Sequence, residues 1–137
     1  LLLLSEHPEL DAYRVLRLAL IHDLGEAYVG DITPYDNIDR SEKIRRETDA
    51  VHQILGKLPG GAQLIEDWME YEQQSSPEAR FVKQVDRLEL AMQASVYQHQ
   101  GRVDAEEFLN AADEHLSFDS MRRELDVLRS LLHPNKT

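Results

Sequence analysis

The chain of 137 residues contains no cysteine. This absence excludes disulfide bonds, zinc sites built from thiolates and a cysteine nucleophile. The sequence also lacks a long hydrophobic run, because a transmembrane helix needs about twenty consecutive apolar residues. The apolar start, Leu1–Leu4, is far shorter than that and has neither the basic flank nor the cleavage pattern of a signal peptide. We therefore expect a cytoplasmic protein with no membrane partner.

Positive charge is scarce as well. Lysine and arginine number 15 against 26 aspartates and glutamates, which gives a net charge of -11 at neutral pH. A surface of this charge repels nucleic acid polymers and anionic membranes. Small phosphate-bearing substrates are still compatible with it, because a bound divalent metal inverts the local field. We expect a small-molecule substrate and a single domain over residues 1–137, large enough to bury about two-thirds of its unfolded surface.

The apolar residues recur at helical spacing, and no segment shows sustained alternation with a period of two. This pattern predicts an all-α fold, a single helical bundle. Leu16, Leu20 and Leu24 predict the apolar face of its first long helix, and Leu1–Leu4 resembles the end of a core helix. The predicted helices cover residues 10–24, 39–58, 62–74, 77–100, 105–116 and 118–132.

The pair His22-Asp23 directly follows apolar residues that resemble the end of a core helix. A neutral imidazole and a carboxylate at adjacent positions can reach one divalent cation, and mixed nitrogen and oxygen ligation suits Mn, Fe, Co, Ni or Zn. Glu26 comes one turn later, where an acid that is not a ligand can transfer protons beside the metal. Taken alone the pair is weak evidence, since adjacent histidines and aspartates are common by chance.

A third candidate ligand, Asp86, lies on the longest predicted helix. Apolar residues at steps of three and four predict a buried stripe on that helix, namely Val82, Val85, Leu88 and Met92. A carboxylate at the edge of such a stripe is costly unless it is paired or bound to a metal. Spacing alone favours an ion pair of Asp86 with Arg87, Lys83 or an arginine of a neighbouring helix, and it leaves ligation open.

Two runs of the sequence, residues 19–34 and 85–94, resemble the HD-domain metal-dependent phosphohydrolases. Within that superfamily the likeness is to the small 5'-deoxynucleotidases of the HD domain-containing protein 2 type. The resemblance implies an HD-domain helical fold in which His22, Asp23 and Asp86 bind one divalent metal ion (Mn, Co, Fe, Ni, Zn or Mg). It also implies that Glu26 assists catalysis, that deoxyribonucleoside 5'-monophosphates are the substrates, and that the protein is a homodimer.

The segment after Glu26 is the predicted substrate-binding region. The resemblance implies that Asp31 faces the sugar of a nucleotide, and that Ile32, Thr33 and Pro34 shape the pocket beside it. From the residues alone, this segment is an ordinary turn with Asp31 as a capping residue.

The family pattern has a further metal-binding histidine on a helix well before the His-Asp pair, at a position that falls before Leu1. His7 does not fill this role, because Pro8 disfavours helix at the preceding residue and predicts a loop. We therefore expect the fourth ligand and the phosphate-binding residues upstream of Leu1.

Three alternatives to the deoxynucleotidase assignment stay open. Another HD phosphohydrolase, acting on a triphosphate, a cyclic nucleotide or an alarmone, would share the residues of this site. Oxygenation at a two-metal centre is disfavoured, because no further histidine follows His22 at a useful spacing. A non-catalytic helical binding module is the alternative from another class of protein.

Overall fold

Helix follows helix through the part of the chain that the computed structural model describes, residues 1–29 and 39–132. A short 3₁₀ helix, Leu3–Glu6, precedes seven α-helices in this part of the chain. They are α1 (Ala12–Ile21), α2 (Leu24–Val29), α3 (Arg40–Leu55), α4 (Gly61–Gln73), α5 (Pro77–His99), α6 (Glu106–Asp113) and α7 (Asp119–Leu132). No strand occurs among these residues, which confirms the predicted all-α class. Within the described ranges, no helix is both long and apolar enough to cross a membrane.

The helices form two compact units. The first, here called the His22 unit, comprises Tyr13–Ala79. In it α2 packs against α3, and α3 packs against α4. Its core is formed by Val51, Leu55 and Trp68, on which partly buried apolar residues of α1, α2, α3 and α4 rest. The prediction of one domain over residues 1–137 stays a prediction.

The second unit, here called the Phe81 unit, comprises Leu1–Ala12 and the residues from Arg80 onward. Here α7 packs against α6 and against the 3₁₀ helix. His7 packs edge-on against the rings of Phe81 and Phe118, with centroids 5.4 and 5.0 Å away. Its Nε2 lies 2.8 Å from the Ser120 hydroxyl. His7 is therefore a packing and hydrogen-bonding residue in a non-helical segment, as Pro8 predicts.

Two helix starts follow the capping signals in the sequence. The Asp39 carboxylate accepts a hydrogen bond from the Ser41 amide at 3.2 Å at the start of α3. The Ser76 hydroxyl accepts one from the Ala79 amide at 3.0 Å, with Pro77 as the first residue of α5. Both side chains satisfy amides that have no partner inside the helix.

The predicted apolar face of the first long helix is wrong at Leu16 and Leu20. Val15 and Leu18 are its buried residues, whereas Leu20 is 86% exposed. Arg14 and Arg17, which lie beside the buried face, pair with carboxylates of α4. These ion pairs turn that side of α1 towards α4, so Leu16 and Leu20 point elsewhere, whereas Leu24, the first residue of α2, packs on the core as expected.

The predicted buried stripe of α5 also needs correction at its end. Leu88 is buried as expected, but Met92 is 49% exposed. The buried stripe continues instead through Ala91 and Ser95, since a period of 3.6 residues reaches these positions from Leu88. Small residues on a buried face carry little hydrophobic signal, and this explains the error.

The opening leucines form a short helical turn in the structure. Leu3 and Leu4 belong to a 3₁₀ turn, in which Leu4 is the buried residue, while Leu1 and Leu2 are largely exposed. That this segment ends a core helix stays a prediction.

Candidate metal and catalytic site

His22 and Asp23 form the junction between α1 and α2. The His22 amide still donates to the Leu18 carbonyl at 3.0 Å, as the last turn of α1. The Asp23 carbonyl already accepts from the Ala27 amide at 3.0 Å, as the first turn of α2. Both residues therefore have backbones fixed by regular hydrogen bonds, which gives their side chains a defined direction.

The hydrogen bonds of His22 select one form of its imidazole. Nδ1 lies 2.8 Å from the carbonyl oxygen of Ala19, and since a carbonyl only accepts, Nδ1 carries the proton. In the neutral ring the lone pair is then on Nε2. The ring is one-fifth exposed and lies 5.2 Å from the Tyr71 ring, centroid to centroid. A histidine held through Nδ1 by a carbonyl, with its lone pair on Nε2, is the usual arrangement of a metal ligand.

The Nε2 of His22 faces Oδ1 of Asp23 at 2.9 Å. With a neutral imidazole these two atoms are both acceptors, so their approach is favourable only when a cation lies between or beside them. A proton or a divalent metal ion satisfies that condition. The Asp23 side chain is 70% exposed, which leaves room for further ligands. The donor set of one imidazole nitrogen and one carboxylate oxygen fits a divalent transition metal.

Asp86, the third predicted ligand, lies on α5 in the Phe81 unit. Its side chain is one-third exposed, and its Oδ2 accepts from Lys83 Nζ at 3.1 Å. The ion pair that spacing alone favours is therefore present. It does not exclude ligation, because a carboxylate has two oxygens. The joint binding of one metal by Asp86 and the His-Asp pair stays a prediction.

Glu26 lies on α2, one turn after Asp23, and pairs with a lysine of α3. Lys43 Nζ donates to Glu26 Oε1 at 3.0 Å and lies 3.5 Å from Glu47 Oε1. Burial lowers the pKa of Lys43, but the hydrogen bond to Glu26 and the negative charges of Glu26 and Glu47 outweigh this effect, so the pKa is raised. Burial raises the pKa of Glu47, and the negative charges of Glu26 and Glu72 add to this against the opposing effect of Lys43.

Gly25 allows α2 to lie close to α3 at this point. A Cβ atom at Gly25 would lie 2.9 Å from the Cβ of Glu47 and 3.1 Å from Cζ2 of Trp68. Only a residue without a side chain fits without displacing its neighbours. The glycine next to Glu26 thus sets the distance between the two helices that carry Glu26 and Lys43.

Sequence reasoning missed Lys43 and Glu47 because they are surrounded by residues of a mixed-charge helix face. Arg45 and Arg46 do form such a face, pairing with Glu42 on the exposed side of α3. The available signal was position: Glu47 lies one turn before the buried Val51, on the apolar stripe of α3.

The predicted substrate-binding residues Asp31, Ile32, Thr33 and Pro34 lie outside the described residues. Their roles stay predictions.

Three histidines for which the sequence predicts no role in the site are exposed on the helices or at their ends. They are His52, His99 and His115.

Comparison with known proteins gives the family. A family profile described as "HD domain" matches residues 1–122. The chain belongs to the HD domain family. Its resemblance to the HD-domain metal-dependent phosphohydrolases is therefore confirmed. A solved structure of this kind, a predicted metal-dependent phosphohydrolase from Magnetospirillum magnetotacticum MS-1, is 26% identical with a TM-score of 0.66, over 97% of this chain and 69% of that chain.

The HD domain of this chain has similar relatives in several eukaryotes. It is 54% identical over 87 residues to the human protein named 5'-deoxynucleotidase HDDC2, covering 62% of this chain and 43% of that protein. The bovine protein of the same name is 50% identical over 98 residues, covering 70% and 48%. The Saccharomyces cerevisiae protein named 5'-deoxynucleotidase YGK1 is 34% identical over 112 residues, covering 76% and 52%. The chain thus spans about half the length of these relatives.

Proposed function

We propose that this HD domain belongs to a metal-dependent phosphohydrolase that releases phosphate from deoxyribonucleoside 5'-monophosphates. The observation that carries the proposal is the imidazole of His22, whose Nδ1 is held by the Ala19 carbonyl while Nε2 faces the Asp23 carboxylate. Relatives named 5'-deoxynucleotidases support the substrate class.

The metal ligands in this proposal are His22, Asp23 and Asp86. A divalent ion, whether Mn, Co, Fe, Ni, Zn or Mg, supplies Lewis-acid stabilisation of the phosphate and lowers the pKa of a water nucleophile. The Ala19 carbonyl keeps the His22 lone pair on Nε2 for this purpose. The Lys83 ammonium donates a hydrogen bond to Asp86 Oδ2 at 3.1 Å and so orients the carboxylate.

Glu26 handles the proton in this proposal. It lies on α2, one turn after the His-Asp junction, and is not one of the proposed ligands. A carboxylate in this place can orient the attacking water and accept its proton, a contribution of about 10²–10⁴-fold to the rate.

The nucleotide is recognised by the segment after α2. Asp31 accepts a hydrogen bond from the sugar hydroxyl, with Ile32, Thr33 and Pro34 beside it. A carboxylate left without its hydroxyl partner disfavours the wrong sugar strongly, which gives the basis for selectivity. The binding partner in this proposal is a small nucleotide. That the protein is a homodimer and that it is cytoplasmic remain predictions.

Metal content and substrate profile test the proposal. The metal-loaded full chain should hold about one divalent ion and lose it, together with activity, in the His22→Ala variant, because the imidazole is a ligand. Deoxyribonucleoside 5'-monophosphates should release phosphate faster than ribonucleoside 5'-monophosphates or 3'-monophosphates. Equal rates on all three would remove the deoxynucleotidase assignment. Metal retention by His22→Ala would contradict the ligand assignment.

A further inference from the structure

Glu26 is held by a charged side chain that leaves its own helix. Lys43 is on α3, yet its ammonium donates to Glu26 on α2 at 3.0 Å, across 17 residues of sequence. The neighbouring cations of α3 behave differently, since Arg45 and Arg46 pair with Glu42 within the same helix. Such local exposed pairs contribute little. The contact of Lys43 with Glu26 instead links two helices beside the His-Asp junction.

Lys43 is itself anchored by a buried carboxylate. Glu47 is one turn further along α3, its side chain is only 5% exposed, and its Oε1 lies 3.5 Å from Lys43 Nζ. This oxygen accepts no hydrogen bond from the described residues. A buried carboxylate with so few partners costs stability, and a raised pKa of Glu47 is the expected consequence. Buried charged groups that destabilise the fold in this way are concentrated at functional sites.

The backbone of Glu26 is constrained from the same direction. Gly25 lies so close to Glu47 and Trp68 that an added Cβ would be within 2.9 and 3.1 Å of them. The main chain beside Glu26 is therefore packed on α3, and the Glu26 side chain is tied to α3 by Lys43. Together these contacts restrict both the position and the rotamer of one carboxylate.

We propose that Lys43, anchored by the buried Glu47, is a positioning residue that holds the Glu26 carboxylate in its reactive orientation. This inference rests on the proposed function, in which Glu26 handles a proton. Lys43 acts through Glu26 and needs no contact with substrate or metal. Misplacing a catalytic group by about 1 Å can cost on the order of 10²-fold in rate, so loss of Lys43 should be visible in kcat.

The first test compares variants of Lys43 in the metal-loaded full chain. Lys43→Met keeps the length of the side chain and removes its charge, and we expect kcat to fall about 10- to 100-fold with KM and metal content retained. Lys43→Arg should recover most of the loss because it restores a cation. Lys57→Met, a matched change at an exposed lysine beyond the end of α3, should leave kcat unchanged. A wild-type kcat in folded Lys43→Met overturns the inference.

The second test asks whether Lys43 acts through Glu26. If it does, Lys43→Met costs nothing further in a Glu26→Gln background, because coupled residues are non-additive. Independent, multiplied losses overturn the inference while leaving the proposed function intact. A wild-type kcat in Glu26→Gln alone refutes the proposed role of Glu26 instead. Should Lys43→Met fold poorly, the Lys43→Met, Glu47→Gln double variant removes the unpaired buried charge and is expected to show the same fall in kcat.

Discussion

Gly25 offers a sharp test of the packing beside the candidate site. Replacing it with alanine adds one methyl group, which would lie 2.9 Å from Glu47 Cβ and 3.1 Å from Trp68 Cζ2. The first of these neighbours is rigidly attached to the backbone of α3, and the second belongs to a side chain that is fully buried. Neither can move aside without shifting a helix or the core.

Two opposing effects decide the outcome of Gly25→Ala. Alanine is the better helix former by about 0.5–1 kcal/mol in a helix interior. Forcing an extra carbon into a packed site costs about 1–3 kcal/mol. Because both close contacts are with atoms that cannot rotate away, we expect the packing cost to exceed the propensity gain, with a net loss of about 1–2 kcal/mol.

Urea unfolding of Gly25→Ala measures this balance, and Ala27→Gly calibrates it. Ala27 is an exposed residue of the same helix, so its change to glycine reports the propensity term alone, about 1 kcal/mol of destabilisation. If Gly25→Ala stabilises the protein by that same amount, the close approach of α2 to α3 is refuted. Gly25→Ala should also lower kcat, because the added methyl group would displace the backbone beside Glu26.

Two further predictions concern buried carboxylates of the His22 unit. Burial raises the folded-state pKa of Glu47, so the folded state binds this proton more tightly than the unfolded chain, and wild-type stability falls as the pH rises through that pKa. Glu47→Gln should remove this fall and be more stable at neutral pH, as urea unfolding across acidic and neutral pH would show. Asp67 is 1% exposed and pairs with the part-exposed Arg17. We expect Asp67→Ala to lower the free energy of unfolding by about 3 kcal/mol, because it leaves the charge of Arg17 without its partner. Asp49→Ala, which removes an exposed ion pair, should cost at most about 1 kcal/mol.

The sequence predicted the class of fold and most helix boundaries because these depend on local signals. Asp39 and Ser76 carry side chains that satisfy the first amides of a helix, and Gly56 and Gly101 follow the ends of α3 and α5. The orientation of each helix about its axis was harder to predict. On α1 it depends on Arg14 and Arg17, whose partners are on α4, and no local pattern records a partner about fifty residues away.

The candidate site shows the same difference between local signals and contacts of distant residues. The His22-Asp23 pair and Glu26 lie within five residues of sequence, so their chemistry could be recognised from the motif alone. Lys43 and Glu47 could not, because their role depends on α3 packing across α2. The one local indication was a charged residue, Glu47, on the buried stripe of α3. The family motif does not include this position.

The buried Glu47 carboxylate connects stability with the proposed activity. Its raised pKa means that the folded protein would be more stable with a neutral side chain at this position. If ionised Glu47 serves only packing, Glu47→Gln gains stability and keeps kcat. If it anchors Lys43 against Glu26, the same variant gains stability and loses kcat. This trade-off between stability and activity is expected where a functional site destabilises the fold. One substitution therefore separates the two roles, because stability moves in the same direction in both cases and only the rate distinguishes them.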